Sequence, residues 1–320
     1  MRALVTGATG FVAAHLIRHL VDSGDQVIGL SQSGHWPDPA SDLPRICRLE
    51  PLDLTNTPDD QFADLLRRKQ PEAIYHLAAQ SNPRLSLDNP RLTWSLNLGG
   101  TFNLLEAIRH AQLQPRVILV SSGVVYGNPE PHHLPVREDC PVLPNNPYAA
   151  SKAAADILGI QHALTYHTPT IIARPFNHAG PGQSDLYVLS SLARQVAEVE
   201  AGLRPAVSHG NLAIVRDFTD VRDIVRAYRL LATSGQPGQI YNIGSGRDLP
   251  LQALFDTLRN LAHRPIPSQL DPNLVRPIDQ PRLLADSSKL HAHTGWSPTI
   301  PLETTLADML NTWRRQLSSR

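Results

Sequence analysis

Cysteine is nearly absent: Cys47 and Cys140 are the only two in 320 residues. They stand far apart and outside any metal-type spacing, which argues against a disulfide framework and for reduced thiols in a cytoplasm. Net charge is missing too. Lys plus Arg and Asp plus Glu number 29 each, so nothing favours a polyanion-coating surface, and no nucleic-acid partner is expected. No apolar run approaches the roughly 18 residues of a membrane span. Met1 to Gly10 leads straight into a strand-and-turn pattern and not a signal peptide, so a soluble protein with no membrane partner is expected. The 14 histidines include His132-His133 and His291-x-His293, but no carboxylate or cysteine joins them at ligand spacing, and no metal site is expected.

What is present is alternation. Ala3-Leu4-Val5, Gln26 to Ser31, Cys47 to Leu52, Ala73 to Ala79, Arg116 to Ser122 and Thr170 to Pro175 read as strands. Between them Phe11 to Ser23, Asp59 to Lys69, Asn97 to Gln112 and Tyr148 to His162 carry helical periodicity. Apolar strands alternating with helices build a doubly wound parallel α/β sheet of the Rossmann type. After about Asn177 the pattern loosens, so residues 1–177 are expected to form the dinucleotide-binding domain and 178–320 mainly a smaller substrate lobe. A segment near 217–246 is expected to return to the sheet through Gln239 to Ile243. Leu249 to Ala262 and Leu302 to Arg314 read as helices, and Pro265 to Arg282 as a Pro-rich loop with a strand.

The first chemical motif, Thr6-Gly7-Ala8-Thr9-Gly10-Phe11-Val12-Ala13, follows the first strand and opens the first helix. Gly7 permits a tight turn, Gly10 lets the backbone approach a pyrophosphate, and the helix N-terminus offers free amides to the anion. Ala13 stands where a third small residue packs helix to sheet. The second strand ends Ser31-Gln32-Ser33, with neither the acid that binds a ribose diol nor the base that accepts a 2′-phosphate. The missing carboxylate tips the expectation toward NADP(H), with NAD(H) left open. Asp53 is a candidate for the adenine amino group or for a helix cap.

The second motif is Tyr148-Ala149-Ala150-Ser151-Lys152 behind Asn145-Asn146-Pro147, a helix start with Asn at the cap and Pro at the first helical position. Tyr148 and Lys152 fall on one face. A phenol that titrates near 10 needs an adjacent cation to transfer a proton near neutrality, and Lys152 is expected to supply it. Ser121-Ser122, leaving the fifth strand, provides the third hydroxyl member.

Together with His76-Leu77-Ala78-Ala79, Asn97 before Gly100-Thr101, Arg174-Pro175-Phe176-Asn177, Arg216 to Asp223, Tyr241 to Gly246 and Thr294 to Pro298, these motifs resemble the extended short-chain dehydrogenase/reductases that modify nucleotide-sugars. The resemblance covers essentially the whole chain. It implies a nicotinamide cofactor held by Gly7, Thr9, Gly10, Phe11, Val12, Ser31, Gln32, Asp53, Leu54, Leu77, Ala78, Ala79, Asn97, Ser121, Tyr148, Lys152 and Arg174. It implies catalysis by Ser122, Tyr148 and Lys152. The nucleotide-diphosphate sugar would meet Ser81, Ser122, Gly123, Asn177, His178 and Arg216, with Arg276 and Asp279 on its diphosphate and ribose. A homodimer through the helices at Asn97 to Gln112 and Tyr148 to His162 is also implied.

The residues after the catalytic serine bear on the reaction. Family dehydratases and decarboxylases place acidic residues there, and the reductases that also epimerise positions 3 and 5 use a Cys; this chain has Gly123 and Val124. Net reduction of a 4-keto sugar and 4-epimerisation through a transient ketone remain. Ser121-Ser122-Gly123, Arg174 to Gln183 and Val215 to Phe218 most resemble GDP-6-deoxy-4-keto-mannose reductases, which make GDP-rhamnose. An NAD-dependent 4-epimerase is the alternative. A non-catalytic cofactor-sensing scaffold would be expected to have lost Tyr148 or Lys152, and both are present.

Overall fold

The short apolar runs of the first half can leave neither face in water, and they pair as a covered parallel sheet. The computed structural model describes residues 1–38, 41–275 and 282–318. Its strands β1 (Arg2–Thr6), β2 (Gln26–Ser31), β3 (Arg48–Pro51), β4 (Ala73–His76), β5 (Arg116–Val120) and β6 (Thr170–Pro175) lie in one sheet. Two short strands, β7 (Asn177–Ala179) and β8 (Phe218–Asp220), pair with each other in parallel outside it. The late strand β9 (Ile240–Ile243) returns and pairs with β6. The sheet order is β9-β6-β5-β4-β1-β2-β3, the doubly wound Rossmann arrangement expected from the alternation. β1 lies between β2 and β4, with Thr6 in register with Leu30 on one side and His76 on the other. The strand order reverses there, and the crevice beyond those carboxyl ends is where such sheets bind ligands.

Alternation along β1 sets the two covering layers. Ala3 and Val5 join a core with Leu16, Ile17 and Leu20 of α1 (Phe11–Asp22) and Ile224, Tyr228 and Leu231 of the helix at Val221–Ser234. Leu4 enters the opposite core with Phe62 and Leu66 of α2 (Asp59–Lys69) and Leu104, Leu105 and Ile108 of α3 (Gly100–Ala111). The catalytic-motif helix α4 spans Pro147–Tyr166. A further core joins α5 (Val188–Glu200), α7 (Leu251–Asn260) and α8 (Leu302–Ser318), with the 221–234 helix as α6. Leu192, Val196, Leu254, Phe255, Leu306 and Leu310 fill it, and Ala179 and Phe218 of the β7–β8 ladder join it.

Several boundaries differ from the sequence expectation. β4 ends at His76 and β5 at Val120, so Leu77 to Ala79 and Ser121-Ser122 are loop residues at the sheet's rim. The helix expected from Asn97 begins as a π-helical turn, Ser95–Gly99, before α3. A wide turn has no periodicity signature in sequence, and such turns concentrate at functional sites. The Thr294-Gly295-Trp296 motif is structural. Trp296 is buried, its Nε1 donates to the Asp223 carbonyl at 2.9 Å, and the Asp223 carboxylate accepts from the Thr299 and Ile300 amides.

Candidate active site

The Gly-rich turn is shaped by what a side chain would strike. Gly7 has φ +65°, and a Cβ there would lie 2.8 Å from the Ala78 backbone, so the turn presses directly on the loop leaving β4. Gly10 precedes α1, whose N-terminus has no side-chain cap and no acid in its first turn. The amides of Phe11 and Val12 and the positive end of the helix dipole therefore face the crevice without a protein anion. A dinucleotide pyrophosphate fits this cradle.

His76 organises the turn beneath. Thr101 Oγ1 gives its proton to the Asn97 carbonyl at 2.6 Å, so it accepts from His76 Nε2 at 3.0 Å. The His76 Nδ1 then accepts from Thr6 Oγ1 at 2.8 Å, which in turn accepts the Ala78 amide. Burial, with a lesser contribution from Lys152, pulls His76 down to about 3. It is a neutral, hydrogen-bonded packing residue, as the strand-end position suggests. Asn97 accepts the Gln80 amide at 2.7 Å and donates to Ser151 Oγ at 2.9 Å, joining the β4 loop to α4.

At the β2 tip, Ser31 Oγ accepts the Gly34 amide. Asp53 reaches this tip from beyond β3, where its Oδ2 accepts from Gln32 Nε2 at 3.0 Å. Asp53 also accepts from Asn56 Nδ2 and from the Thr55 amide and hydroxyl, and these bonds, Asn56 first, hold its carboxyl far below the ordinary range. It fastens the turn ahead of α2 and does not cap that helix, whose cap position is Pro58. Leu54 beside it packs close to Gly100.

Asn146 Oδ1 accepts the Ala149 amide at 2.9 Å with Pro147 at the first helical position, so local capping sets the direction in which Tyr148 leaves α4. The Tyr148 phenol hydrogen-bonds Ser122; burial outweighs that bond and pushes the phenol up to about 12. Lys152 lies one turn on but donates to the Val120 carbonyl at 2.7 Å. Burial brings it down to about 8 against the opposing charge of Asp156. The ammonium is thus held at the end of β5 and is not bonded to the phenol. Gly123 is buried against Phe176, since a Cβ on it would lie 2.8 Å from Phe176 Cδ2.

Arg174, expected at the cofactor, is buried and paired within the protein. Its Nε meets Asp156 Oδ2 at 2.8 Å, and its Nη1 donates to Tyr126 Oη, which donates to Asn242 Oδ1. This chain of bonds joins α4, β6 and β9 through the short turn Gly123–Tyr126 after β5. Ser121 is buried at the same rim. On the substrate side, the buried Asn177 Nδ2 has no hydrogen-bond partner among the described residues, a donor awaiting an acceptor. His178 Nδ1 bonds the Phe176 carbonyl at 3.0 Å. That bond requires the proton on Nδ1, so the neutral ring has Nε2 as an acceptor, and burial lowers its pKa. Arg216 Nη1 donates to the Val215 carbonyl, while neighbouring Asp217 is buried under the amides of Ser245, Gly246 and Ala285. Ser81 Oγ lies 3.3 Å from Tyr187 Oη. Arg276 and Asp279 fall outside the described residues. Asp156 was legible in part, four residues after Lys152 on the same helix face; Tyr187 and the Phe176–Gly123 contact had no sequence signal.

An uncapped Gly-turn helix and a Ser-Tyr-Lys group on one doubly wound sheet define an extended short-chain dehydrogenase/reductase. Within that class the chain belongs to the family described as GDP-mannose 4,6 dehydratase, whose sequence model matches residues 4–309. It is 35% identical to the GDP-6-deoxy-D-mannose reductase of Pseudomonas aeruginosa over 318 residues, 99% of this chain and 98% of that protein. The structure of RMD from Pseudomonas aeruginosa complexed with NADPH superposes with a TM-score of 0.84 at 33% identity, covering 99% of this chain and 100% of that one. The Thermus thermophilus UDP-glucose 4-epimerase in complex with NAD matches with a TM-score of 0.84 at 28% identity, covering 98% of this chain and 99% of that one. The chain is thus an NAD(P)-dependent enzyme of the nucleotide-sugar class.

Proposed function

We propose that this enzyme reduces the 4-keto group of a GDP-linked 6-deoxy-4-keto-hexose, forming GDP-rhamnose. The observation that carries the reading is Tyr148 bonded to Ser122 next to Gly123, where the Phe176 ring fills the space that an acidic or basic side chain at 123 would need. A bound nicotinamide supplies the hydride for carbon 4. Ser122 and Tyr148 hold the carbonyl oxygen, and the phenol, protonated at neutral pH, gives that oxygen its proton as negative charge develops there. Lys152 contributes positive charge one turn along α4. Reduction needs no other proton transfer, whereas loss of water or exchange at carbons 3 and 5 does.

The test supplies GDP-6-deoxy-4-keto-mannose and NAD(P)H in deuterated water. One cofactor oxidised per sugar, with no deuterium at carbon 3 or 5 above an enzyme-free control, supports the reading. Deuterium at either carbon reveals another base. Interconversion of two 4-hydroxy nucleotide-sugars with retained NAD moves the assignment to the 4-epimerase. Activity only with a UDP- or dTDP-linked ketone changes the nucleotide alone.

The cofactor we propose is NADP(H), with NAD(H) the weaker substrate. The NADPH complex of the Pseudomonas aeruginosa neighbour supports this, as does an Asp53 carboxylate already occupied by its own turn and Gln32. The ratio of kcat/KM for NADPH over NADH tests it. We assign the dinucleotide to residues 1–177 with the segment near 217–246, and the nucleotide-sugar mainly to 178–320. A homodimer is supported by Phe102 of α3 and Ile157 and Leu164 of α4, which are 48%, 69% and 74% exposed, and light scattering tests it. No described helix is long and apolar enough to cross a membrane, which supports, with the sparse cysteines, our placing the protein in the cytoplasm.

A further inference from the structure

Tyr187 was assigned no role by the motifs, yet it reaches across the cleft. Its hydroxyl, from the loop ahead of α5, lies 3.3 Å from Ser81 Oγ in the loop after β4, 106 residues away in sequence. The loop that delivers it is firmly built. Pro181 O accepts from His15 Nε2 of α1 at 2.9 Å, and Gln183 Nε2 donates to the His178 carbonyl at 3.1 Å. Ser190 Oγ donates to the Gln183 carbonyl at 2.5 Å and accepts from Trp313 Nε1 of α8. Tyr187 also occupies the N-cap position of α5 but makes no side-chain cap bond. Ser, Thr, Asp or Asn would cap that helix start with its side chain; the Tyr187 carbonyl accepts the Ser191 amide, and its side chain is left for another role.

The partner side is equally fixed. Ser81 follows Gln80, whose amide is held by Asn97; Asn97 donates to Ser151 Oγ, and Ser151 Oγ donates to the Tyr148 carbonyl at 2.8 Å. Ser81 is therefore tied through short bonds to the turn that carries the catalytic phenol. Tyr187 lies near enough to Tyr148 to add to the upward shift of that phenol. The 3.3 Å separation is long for a bond between two hydroxyls, which prefer about 2.7–2.8 Å. Each oxygen keeps capacity for another donor or acceptor, and a polar group placed between them can replace the weak contact with two better ones.

We propose that the Tyr187 and Ser81 hydroxyls jointly bind a ring hydroxyl of the hexose at carbon 2 or 3, fixing the 4-keto carbon relative to Tyr148 and making Tyr187 a specificity-determining residue. The proposal rests on the nucleotide-sugar reading above. Tyr187→Phe keeps the ring and removes the contact; Ser81→Ala removes its partner. Each is expected to lower kcat/KM for the GDP-linked 4-keto sugar about tenfold, the value of one neutral hydrogen bond, with KM for NADPH unchanged. The double variant is expected to lose less than the product of the two, because both residues serve one hydroxyl.

A pair of substrate analogues separates binding from a mere latch between loops. With 4-keto sugars lacking the hydroxyl at carbon 2 or carbon 3, wild type is expected to lose about tenfold against one of them, while Tyr187→Phe treats that analogue and the parent alike. Variants that lose thermal stability but keep wild-type kcat/KM and wild-type discrimination would overturn the proposal. The same comparison is made by calorimetric binding of GDP-rhamnose and its deoxy analogues. Wild type that binds a GDP-hexose but oxidises no NADPH defeats the reductase reading and still lets binding judge Tyr187. Wild type that binds no nucleotide-hexose overturns both.

Discussion

Phe176 occupies the space that a side chain on residue 123 would need: a Cβ on Gly123 would lie 2.8 Å from Phe176 Cδ2 and 2.9 Å from Cε2. Phe176 is itself buried, beside Tyr126 at 6.3 Å between ring centroids. Position 123, next to the proposed catalytic Ser122, is therefore closed to an acid or base by packing as well as by residue type. Gly123→Ala is expected to lose about 1–3 kcal/mol of stability through overpacking, with part regained in the pair Gly123→Ala, Phe176→Leu. Urea denaturation of the two variants checks this, and a Gly123→Ala protein as stable as wild type would show that the ring moves aside freely.

Tyr148→Phe removes one oxygen from an unchanged ring. Turnover is expected to fall by about 10²- to 10⁴-fold, the usual cost of a lost general acid, while NADPH binding followed by fluorescence stays near wild type. A variant keeping more than about a tenth of the rate would remove the phenol from the mechanism.

The role proposed for Lys152 predicts an alkaline limb in the pH profile. Burial brings it down to about 8 and Asp156 works against that fall. With Lys152 acting as the proposed cation, kcat/KM is expected to decline above about pH 8. Asp156→Asn removes the negative charge that favours the ammonium, so the limb moves to lower pH. The same change leaves the Arg174 guanidinium buried without its partner, at a cost of about 3–5 kcal/mol, so the profile is best recorded well below the melting temperature. A limb that stays in place in Asp156→Asn would detach it from Lys152.

His76 predicts a stability change at mildly acid pH. Its folded value of about 3 lies below the ordinary 6.5, so between those limits the unfolded chain binds the extra proton and stability rises with pH. The contribution is complete above pH 6.5 and is lost as pH falls toward 3. Urea midpoints are expected to drop from about pH 7.5 to about pH 5, and to drop less in His76→Gln. Equal drops in both proteins would assign the acid sensitivity elsewhere.

The fold and the outline of the site were legible because their signals are local. Strand and helix periodicities depend on neighbours two to four residues away, and the start of α4 is written in Asn146 and Pro147. Residues at strand ends were harder. Ala73 to Ala79 reads as one apolar run, yet pairing stops at His76, because the Gly7 turn takes the place of a neighbour strand against Ala78. The π-helical turn at Ser95–Gly99 was invisible for a related reason: it answers to the Asn97 bonds with Gln80 and Ser151, not to any repeat in its own residues.

The sequence by itself determined the doubly wound sheet, the anion-receptive Gly7–Gly10 turn and the spacing of Tyr148 and Lys152, since backbone conformation and helical pitch follow from adjacent residues. Only the tertiary structure decided which partners the polar side chains chose. Lys152 went to the Val120 carbonyl, Arg174 to Asp156 and Tyr126, Asp53 to Gln32, and Tyr187 to Ser81. Each side chain has several possible partners in sequence, and the choice depends on distances of a few ångströms set by the packing of segments remote along the chain.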